Sequence, residues 1–292
     1  VVAKAINSER DAGRASAHGG AYLDISWREP DQVRKKLPGM YHQFKELAAV
    51  DITTEKMEVG PTAHYVMGGI KVHPETQETT VPRMFAAGEA ATGLHGANRL
   101  GGNSLSDLIV FGKIAGENAA LLAKDIDEFL PVDSNEIENA IEETLAPLSR
   151  TEGENPAKVV EDLREMMQYK VGIIRTEKLL KEALKDLEDL EKRAQKTSAG
   201  TSRIYNPGWH QALEIDAMID VSRMCTLAAL YREESRGGHT RDDFPEPDYK
   251  YWGKINTVIT KKEEMTIEHR RYPPIDEELK KLLDIEDLHE EE

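Results

Sequence analysis

The segment from residue 61 to residue 116 constrains the fold of this chain most strongly. It reads PTAHYVMGGIKVHPETQETTVPRMFAAGEAATGLHGANRLGGNSLSDLIVFGKIAG, and seven glycines lie between Gly68 and Gly102. Because glycine has no Cβ, it allows the backbone to turn sharply or to approach another group closely. This density of glycine exceeds what core packing needs and indicates a segment that closely contacts a ligand.

A short apolar run inside this segment ends at a glycine and an acidic residue. Residues 84–87 (MFAA) suit a buried strand, and Gly88 and Glu89 follow where such a strand opens onto a ligand crevice. A carboxylate there can accept a hydrogen bond from a ribose hydroxyl, as acidic residues do in dinucleotide-binding folds. The alternative interpretation is that Glu89 faces water.

An apolar helix is predicted directly after the last of these glycines. Asn103 and Ser104 are good N-cap residues. The apolar positions that follow are Leu105, Leu108, Ile109, Val110, Phe111 and Ile114. We expect a buried helix whose amino end faces the glycine loop, where its N–H groups and dipole favour a phosphate or the carbonyls of a cofactor ring.

Two side chains of the segment, His64 and Arg99, are suited to binding carboxylates. The planar guanidinium of Arg99 matches a carboxylate, and no acidic residue lies near it in sequence. His64 precedes two glycines and can bond a second carboxylate. Either residue alone is more commonly structural or on the surface, but together they predict a dicarboxylate site.

Three spaced motifs, PTAHYVMGGI, FAAGEA and LHGANRLGGNSLSDLIVFGKIAG, closely resemble the flavoprotein subunit of succinate dehydrogenases and fumarate reductases. The motifs stand in the family's order and at its intervals. VVAKAI at the amino end and RGGHTRDDFP (residues 236–245) resemble the family more weakly. The resemblance therefore spans most of the chain.

The resemblance implies FAD as cofactor and a C4 dicarboxylate, succinate or fumarate, as substrate. His64 and Arg99 match the family residues that bind the substrate carboxylates. The residues that match its FAD contacts are Glu89 at the ribose, and Asn103, Ser104 and Leu105 at the flavin ring. The implied reaction is hydride transfer between substrate and flavin N5, with electrons passed to an iron–sulfur partner subunit.

The family also carries a GxGxxG loop that binds the FAD pyrophosphate, and this sequence contains no such loop. In the family, VVAKAI directly follows an Arg–Asp pair whose Arg transfers the proton. We therefore expect that Arg to precede Val1, which leaves no catalytic residue in this chain. A missing amino-terminal flavin-binding half is expected as a partner.

Charge and cysteine content exclude several functions. The formal charge of −16 argues against binding nucleic acid or anionic lipid. Cys225 is the single cysteine, so no metal site built from cysteines is expected, and none is predicted from other residues. No apolar run approaches the roughly 20 residues that span a bilayer. We expect a cytoplasmic chain at the inner face of the cell membrane, tethered only through other subunits.

The predicted fold is mixed α+β. We expect the end of a capping domain over residues 1–60 and part of a Rossmann-like FAD-binding domain over 61–131. A three-helix domain over 132–235 and a C-terminal tail over 236–292 follow. Helical spacing predicts helices at residues 1–11, 30–37, 40–50, from 156, around 179–190 and at 208–232, and strands at 21–27, 254–260 and 265–270.

Two other functions remain open at this point. L-Aspartate oxidase is a related enzyme, but it typically reads RLASNSLLE where this chain has RLGGNSLSD. A non-catalytic helical interaction module would not need the set of His64, Glu89 and Arg99. Residues 233–245 (EESRGGHTRDDFP) indicate a structural ion network, with contact at the edge of the active site as the alternative.

Overall fold

The computed structural model describes residues 2–127 and 131–281. It divides into two compact units, Val1–Val66 and Met67–Glu292. None of the helices in the described ranges combines the length and apolarity that a bilayer span requires. The fold is mixed α and β, as predicted.

The first unit contains short helices and a two-stranded sheet. Its elements are α1 (Val2–Asp11), β1 (Ala21–Leu23), α2 (Pro30–Lys36), α3 (Pro38–Ala48) and β2 (Met57–Val59). The strands are antiparallel, with Ala21 opposite Val59. Buried Val33, Ile52 and Met57 form the core of this unit. The three predicted helices and the strand are confirmed, although the strand ends at residue 23 because the chain turns away after it.

The second unit is mainly helical. Its named elements are α4 (Asn103–Lys124), α5 (Ser134–Ser149), α6 (Pro156–Lys170), α7 (Glu177–Ala194), α8 (Pro207–Tyr231), β3 (Ile255–Lys261), β4 (Met265–Arg271) and α9 (Glu277–Lys280). The predicted C-terminal strand pair is confirmed, with Ile255 opposite Arg271. The short helix α9 follows this pair, and residues 282–292 lie outside the described residues.

Helices α6, α7 and α8 pack against one another around the main core. The buried residues of that core are Val159, Val160, Leu163, Met166, Val171, Leu180, Ala183, Leu187, Leu190, Ala194, Ile215, Ile219 and Ala229. The three predicted helices are therefore confirmed. A fourth helix, α5, packs on α8, where the Trp209 indole donates to the Thr144 carbonyl at 2.8 Å.

Polar side chains fix where these three helices begin. Asn155 accepts from the Ala157 N–H at 3.0 Å, and Pro156 occupies the first turn of α6. Thr176 and Asn206 cap α7 and α8 in the same way. Each cap satisfies an N–H group that has no partner within its helix. The sequence signal of an N-cap followed by proline is thus confirmed at α6.

The packing of α7 gives a direct test of this core. Leu187 is fully buried, whereas Lys185 on the same helix is exposed. Replacing Leu187 by Ala leaves a cavity and should lower the free energy of unfolding by about 2–5 kcal/mol. Lys185→Ala should change it by less than about 0.5 kcal/mol. Urea unfolding followed by circular dichroism measures both, and equal effects would contradict the assignment of this core.

Candidate functional site in the glycine-rich segment

Two of the sequence motifs meet through their backbones. The Ile70 N–H donates to the Ala90 carbonyl at 2.8 Å, and the Thr92 N–H donates to the Ile70 carbonyl at 3.0 Å. At Gly69, an added Cβ would lie only 2.7 Å from the Ala90 carbonyl oxygen. A side chain at residue 69 would therefore force the two segments apart. The glycine pair allows the HYxMGG segment to lie directly beside the residues that follow FAAGE.

The FAAGE segment in turn packs on α4. Gly88 has φ +67°, and a Cβ there would lie 2.4 Å from Cδ2 of Leu108. Gly88–Ala90 forms a single turn of 3₁₀ helix, in which Glu89 is exposed. Glu89 therefore has the surface position that either a ribose contact or a solvated carboxylate requires.

The strand predicted over residues 84–87 is wrong. Phe85 forms only an isolated antiparallel bridge with Glu78, and the Ala86 N–H donates to the Gln77 carbonyl at 3.1 Å. The apolar run thus folds back on Gln77 and Glu78, which precede it, instead of entering a sheet. The residues before it contain a further isolated bridge, between Val72 and Thr79.

The start of α4 also differs from the prediction. The N-cap is Gly102, with φ +87°, and Asn103 is the first residue of the helix. A left-handed backbone conformation of this kind favours glycine, which explains why the cap falls one residue earlier than the side chains suggest. The N-cap residue has no side chain to occupy the amino end of the helix, where Asn103, Ser104 and Leu105 lie in the first turn.

The predicted burial of α4 is wrong for this chain. Leu105 and Ile109 are 67% and 72% exposed, and the buried residues of the helix are Asp107 and Ala115. The helix is apolar around most of its circumference, but the FAAGE segment covers only one side of it. Apolar side chains exposed along one helix in this way mark a contact surface.

The glycine loop before α4 carries Arg99. The Arg99 Nη1 donates to the Leu100 carbonyl at 3.3 Å, and the side chain is half-buried. The loop is attached to α4 through His95, whose Nε2 lies 3.3 Å from the Asp107 carboxylate. Both of these side chains are buried, with 7% and 6% exposure. This pair was not predicted, although Asp107 is the one charged residue in the apolar run that begins the helix.

His64 is exposed and belongs to the first compact unit, whereas Arg99, Glu89 and residues 103–105 belong to the second. The structure therefore brings together the segments that carry Glu89, Arg99 and the start of α4. The joint action of His64 and Arg99 on one substrate stays a prediction.

Residues 233–245 form the predicted ion network. Glu234 is fully buried and accepts from Arg232, from Arg236 at 3.1 Å and from the Asp248 N–H at 3.0 Å. Two guanidinium groups and a backbone N–H thus compensate this buried carboxylate, as a buried charge requires.

The second part of the network surrounds Arg241, which is 1% exposed. Its guanidinium donates to both carboxylate oxygens of Asp243, at 2.7 and 2.8 Å, and to the Ala229 and Leu230 carbonyls at the end of α8. The Arg241 guanidinium lowers the pKa of Asp243 to about 2. The segment is therefore locked to the carboxyl end of α8.

His239 is held as a neutral donor and acceptor. The Arg175 guanidinium lies 2.8 Å from its Nδ1, and because a guanidinium only donates, Nδ1 must accept. The proton then sits on Nε2, which lies 3.2 Å from the Arg232 carbonyl. Burial lowers the pKa of His239 to about 4, and the Arg175 cation adds to the shift.

Two regions of this chain match known protein families, and the chain is similar to known flavoprotein subunits. Residues 1–105 match the family described as FAD binding domain, and residues 160–284 match the family described as fumarate reductase flavoprotein C-term. The fumarate reductase flavoprotein subunit of Proteus vulgaris is 36% identical over 251 residues, covering 83% of this chain and 41% of that protein. The succinate dehydrogenase flavoprotein subunit of Coxiella burnetii is 37% identical, covering 76% of this chain and 40% of that protein.

Solved structures of the same family resemble this chain. Sdh1 of Mycobacterium smegmatis, solved in complex with UQ1, is 44% identical with a TM-score of 0.89, covering 99% of this chain and 49% of that chain. Adenylylsulfate reductase of Archaeoglobus fulgidus, at 19% identity and a TM-score of 0.68, shares the fold alone. The chain spans about half the length of the relatives it matches.

The matched regions define a flavoprotein with sequence of an FAD-binding domain, so its cofactor is FAD. The chain belongs to the family of flavoprotein subunits of succinate dehydrogenases and fumarate reductases.

The buried environment of His239 predicts that this side chain protonates at an unusually low pH. The pKa of His239 in the folded chain lies near 4, below its ordinary value of 6.5, so the unfolded chain binds a proton more readily. The contribution of neutral His239 to the free energy of unfolding should be complete above pH 6.5. It should fall as the pH drops from 6.5 to 4 and then level off. His18 provides an internal contrast, since its hydrogen bond to Glu58 raises its pKa.

A side-chain NMR titration measures both histidines in one sample, with a His239→Asn variant to assign the resonance. His18 should protonate first as the pH falls, and His239 should remain neutral until the pH approaches 4. Titration of His239 at or above 6.5 would contradict the buried contact with Arg175.

Proposed function

We propose that this chain forms part of an enzyme that interconverts succinate and fumarate through FAD. One observation supports this most strongly: backbone hydrogen bonds and glycine contacts bring the segments of three motifs together. Ile70 pairs with Ala90, Gly88 packs on Leu108, and His95 contacts Asp107. A structural relic would have no need to keep these contacts around exposed polar residues.

The described residues fit FAD. Gly68, Gly93, Gly96, Gly101 and Gly102 have no heavy atom within 4 Å of an added Cβ, so their backbones are open to a flat ring or a sugar. Beside them, the dipole of the 22-residue helix α4 favours electron-rich groups at its amino end. The backbone of Asn103, Ser104 and Leu105 would hold the flavin ring, and the Glu89 carboxylate would accept from the ribose. When bound, FAD would accept or donate the hydride.

Arg99 and His64 would bind the carboxylates of the substrate. The Arg99 guanidinium can donate two parallel hydrogen bonds to one carboxylate of a C4 dicarboxylate, and its charge compensates the negative charge of that group. His64 would donate to the other carboxylate. Holding both ends orients the central carbon–carbon bond and lowers the entropy cost of the reaction. The residues that would bind and orient the substrate are thus in this chain.

The exposed apolar surface of α4 supports a larger assembly. Leu105, Leu108, Ile109 and Val110 are each between 48% and 72% exposed, which is unfavourable in water. An amino-terminal flavin-binding half that holds the FAD pyrophosphate would cover these side chains. Residues 1–60 and 61–131 then belong to its capping and FAD-binding domains, residues 132–235 form the helical domain, and residues 236–292 form the tail.

Electrons would leave the flavin for an iron–sulfur partner subunit. Cys225, the single cysteine of this sequence, cannot bind a cluster by itself, which supports an iron–sulfur cluster on another chain as the next carrier. With a membrane-bound partner, the complex would lie at the inner face of the cell membrane, and this chain would contact the membrane only indirectly. The charge of −16 favours a protein partner with basic patches over nucleic acid.

The role of Arg99 is tested by a conservative substitution in the complete enzyme. Arg99→Lys keeps the charge but loses the two parallel donors. The enzyme should therefore lose about 2–4 kcal/mol of transition-state stabilisation, and kcat/KM for succinate and fumarate should fall accordingly. Arg203→Lys on an exposed loop is the matched control. If kcat/KM of Arg99→Lys stays within about threefold of the parent value, the assignment of Arg99 is wrong.

The incomplete FAD site is tested with the isolated 292-residue chain. An FAD site needs a pyrophosphate loop as well as ring and ribose contacts, and this sequence contains no GxGxxG. Titration with FAD, followed by flavin fluorescence, should show weak binding or none, and no succinate oxidation. Stoichiometric binding at micromolar FAD together with turnover would show that the chain needs no other half.

A further inference from the structure

We propose that the turn formed by residues 236–239 (RGGH) is the positioning element for the dicarboxylate site. This inference rests on the proposed function and adds a residue set to it. Two hydrogen bonds close the turn, from the Arg236 N–H to the His239 carbonyl at 3.0 Å and from the His239 N–H to the Arg236 carbonyl at 3.1 Å. Gly237 and Gly238 form its tip.

The tip of the turn contacts the loop that carries Arg99. The Gly238 N–H donates to the Ala97 carbonyl at 2.9 Å. At Gly237, with φ +61°, an added Cβ would lie 2.2 Å from the Ala97 carbonyl oxygen and 2.5 Å from its carbon. These contacts are with backbone atoms, which cannot move aside as a flexible side chain does. Any side chain at residue 237 would therefore displace Ala97, two residues before Arg99.

The same tip contacts the segment that follows His64. A Cβ on Gly238 would lie 3.0 Å from Cε of Met67, three residues beyond His64 in the sequence. One glycine pair thus lies against both Ala97 and Met67 within the second unit. This explains why two consecutive glycines stand in the middle of a segment otherwise dense in charged residues.

The turn is anchored firmly enough to fix the position of that loop. Arg236 pairs with buried Glu234 and donates to the Trp252 carbonyl at 3.2 Å, while His239 is held by Arg175 at 2.8 Å. Arg175 also donates to the Val171 carbonyl, next to the helical core. The ion network therefore connects the core of the second unit to the Ala97 carbonyl. Its charged groups position Arg99 and do not themselves touch the substrate.

The test compares two glycines of similar backbone geometry in the native protein. Gly237→Ala and Gly200→Ala both place a side chain at positive φ, +61° and +71°, but an added Cβ on Gly200 meets nothing within 4 Å. The strain of the left-handed conformation is therefore common to both, and only Gly237→Ala displaces Ala97. We expect Gly237→Ala to raise KM for succinate by about tenfold to a hundredfold, since small misplacements of a substrate clamp have large effects.

Malonate provides the readout that a general loss of stability would not change. It carries two carboxylates but cannot be dehydrogenated, so its Kd reports the clamp alone. Gly237→Ala should weaken malonate binding by the same factor as it raises KM, with an FAD content equal to that of Gly200→Ala. Equal malonate Kd values for the two variants would overturn the proposal.

A milder variant keeps the test decisive if Gly237→Ala does not fold. An added Cβ on Gly238 would lie 3.0 Å from Cε of Met67 and 3.8 Å from the Ala97 carbonyl oxygen, so Gly238→Ala should fold and weaken malonate binding by about twofold to fivefold. Gly39→Ala, which meets nothing within 4 Å, is its control. No difference between these two variants would also overturn the positioning role. If the complete enzyme without substitutions neither binds malonate nor oxidises succinate, the proposed function itself fails, and the positioning role fails with it.

Discussion

Close backbone contact between segments that are distant in sequence is the constraint on which this structure depends. Gly69 lies against the Ala90 backbone and Gly237 lies against the Ala97 backbone at separations that no Cβ tolerates, while Gly88 packs on the Leu108 side chain. Hydrogen bonds between backbone groups accompany two of these contacts. Backbone groups are rigid compared with side chains, so a site built this way holds its polar residues in defined positions. Such preorganisation is what carboxylate recognition and hydride transfer require.

Helix α4 shows an inverted pattern of burial. It buries Asp107 beside His95 and exposes most of its leucine, isoleucine and valine side chains. A helix that faces water on those sides usually carries polar residues there. The inverted pattern is consistent with a chain that spans about half the length of its relatives. The buried polar pair fixes the loop, and the exposed apolar side chains form a contact surface.

Sequence reasoning succeeded where the signal is local. The caps at Asn155 and the spacing of apolar residues in α7 predict their helices because capping and helical periodicity act within a few residues. It failed for residues 84–87, since an apolar run does not reveal whether its partner is a sheet or a neighbouring turn. The pairing of His95 with Asp107 and the contact of Gly237 with Ala97 depend on tertiary structure. Only the isolated charge of Asp107 and the glycine pair gave a hint of them.

The central claim is that a C4 dicarboxylate exchanges a hydride with a flavin held partly by this chain. The most direct measurement is the flavin absorbance spectrum of the purified native protein without oxygen. Adding succinate should bleach the oxidised flavin band, and adding fumarate should restore it. An oxidised spectrum that succinate leaves unchanged, in protein whose FAD is reduced by dithionite, would contradict the account.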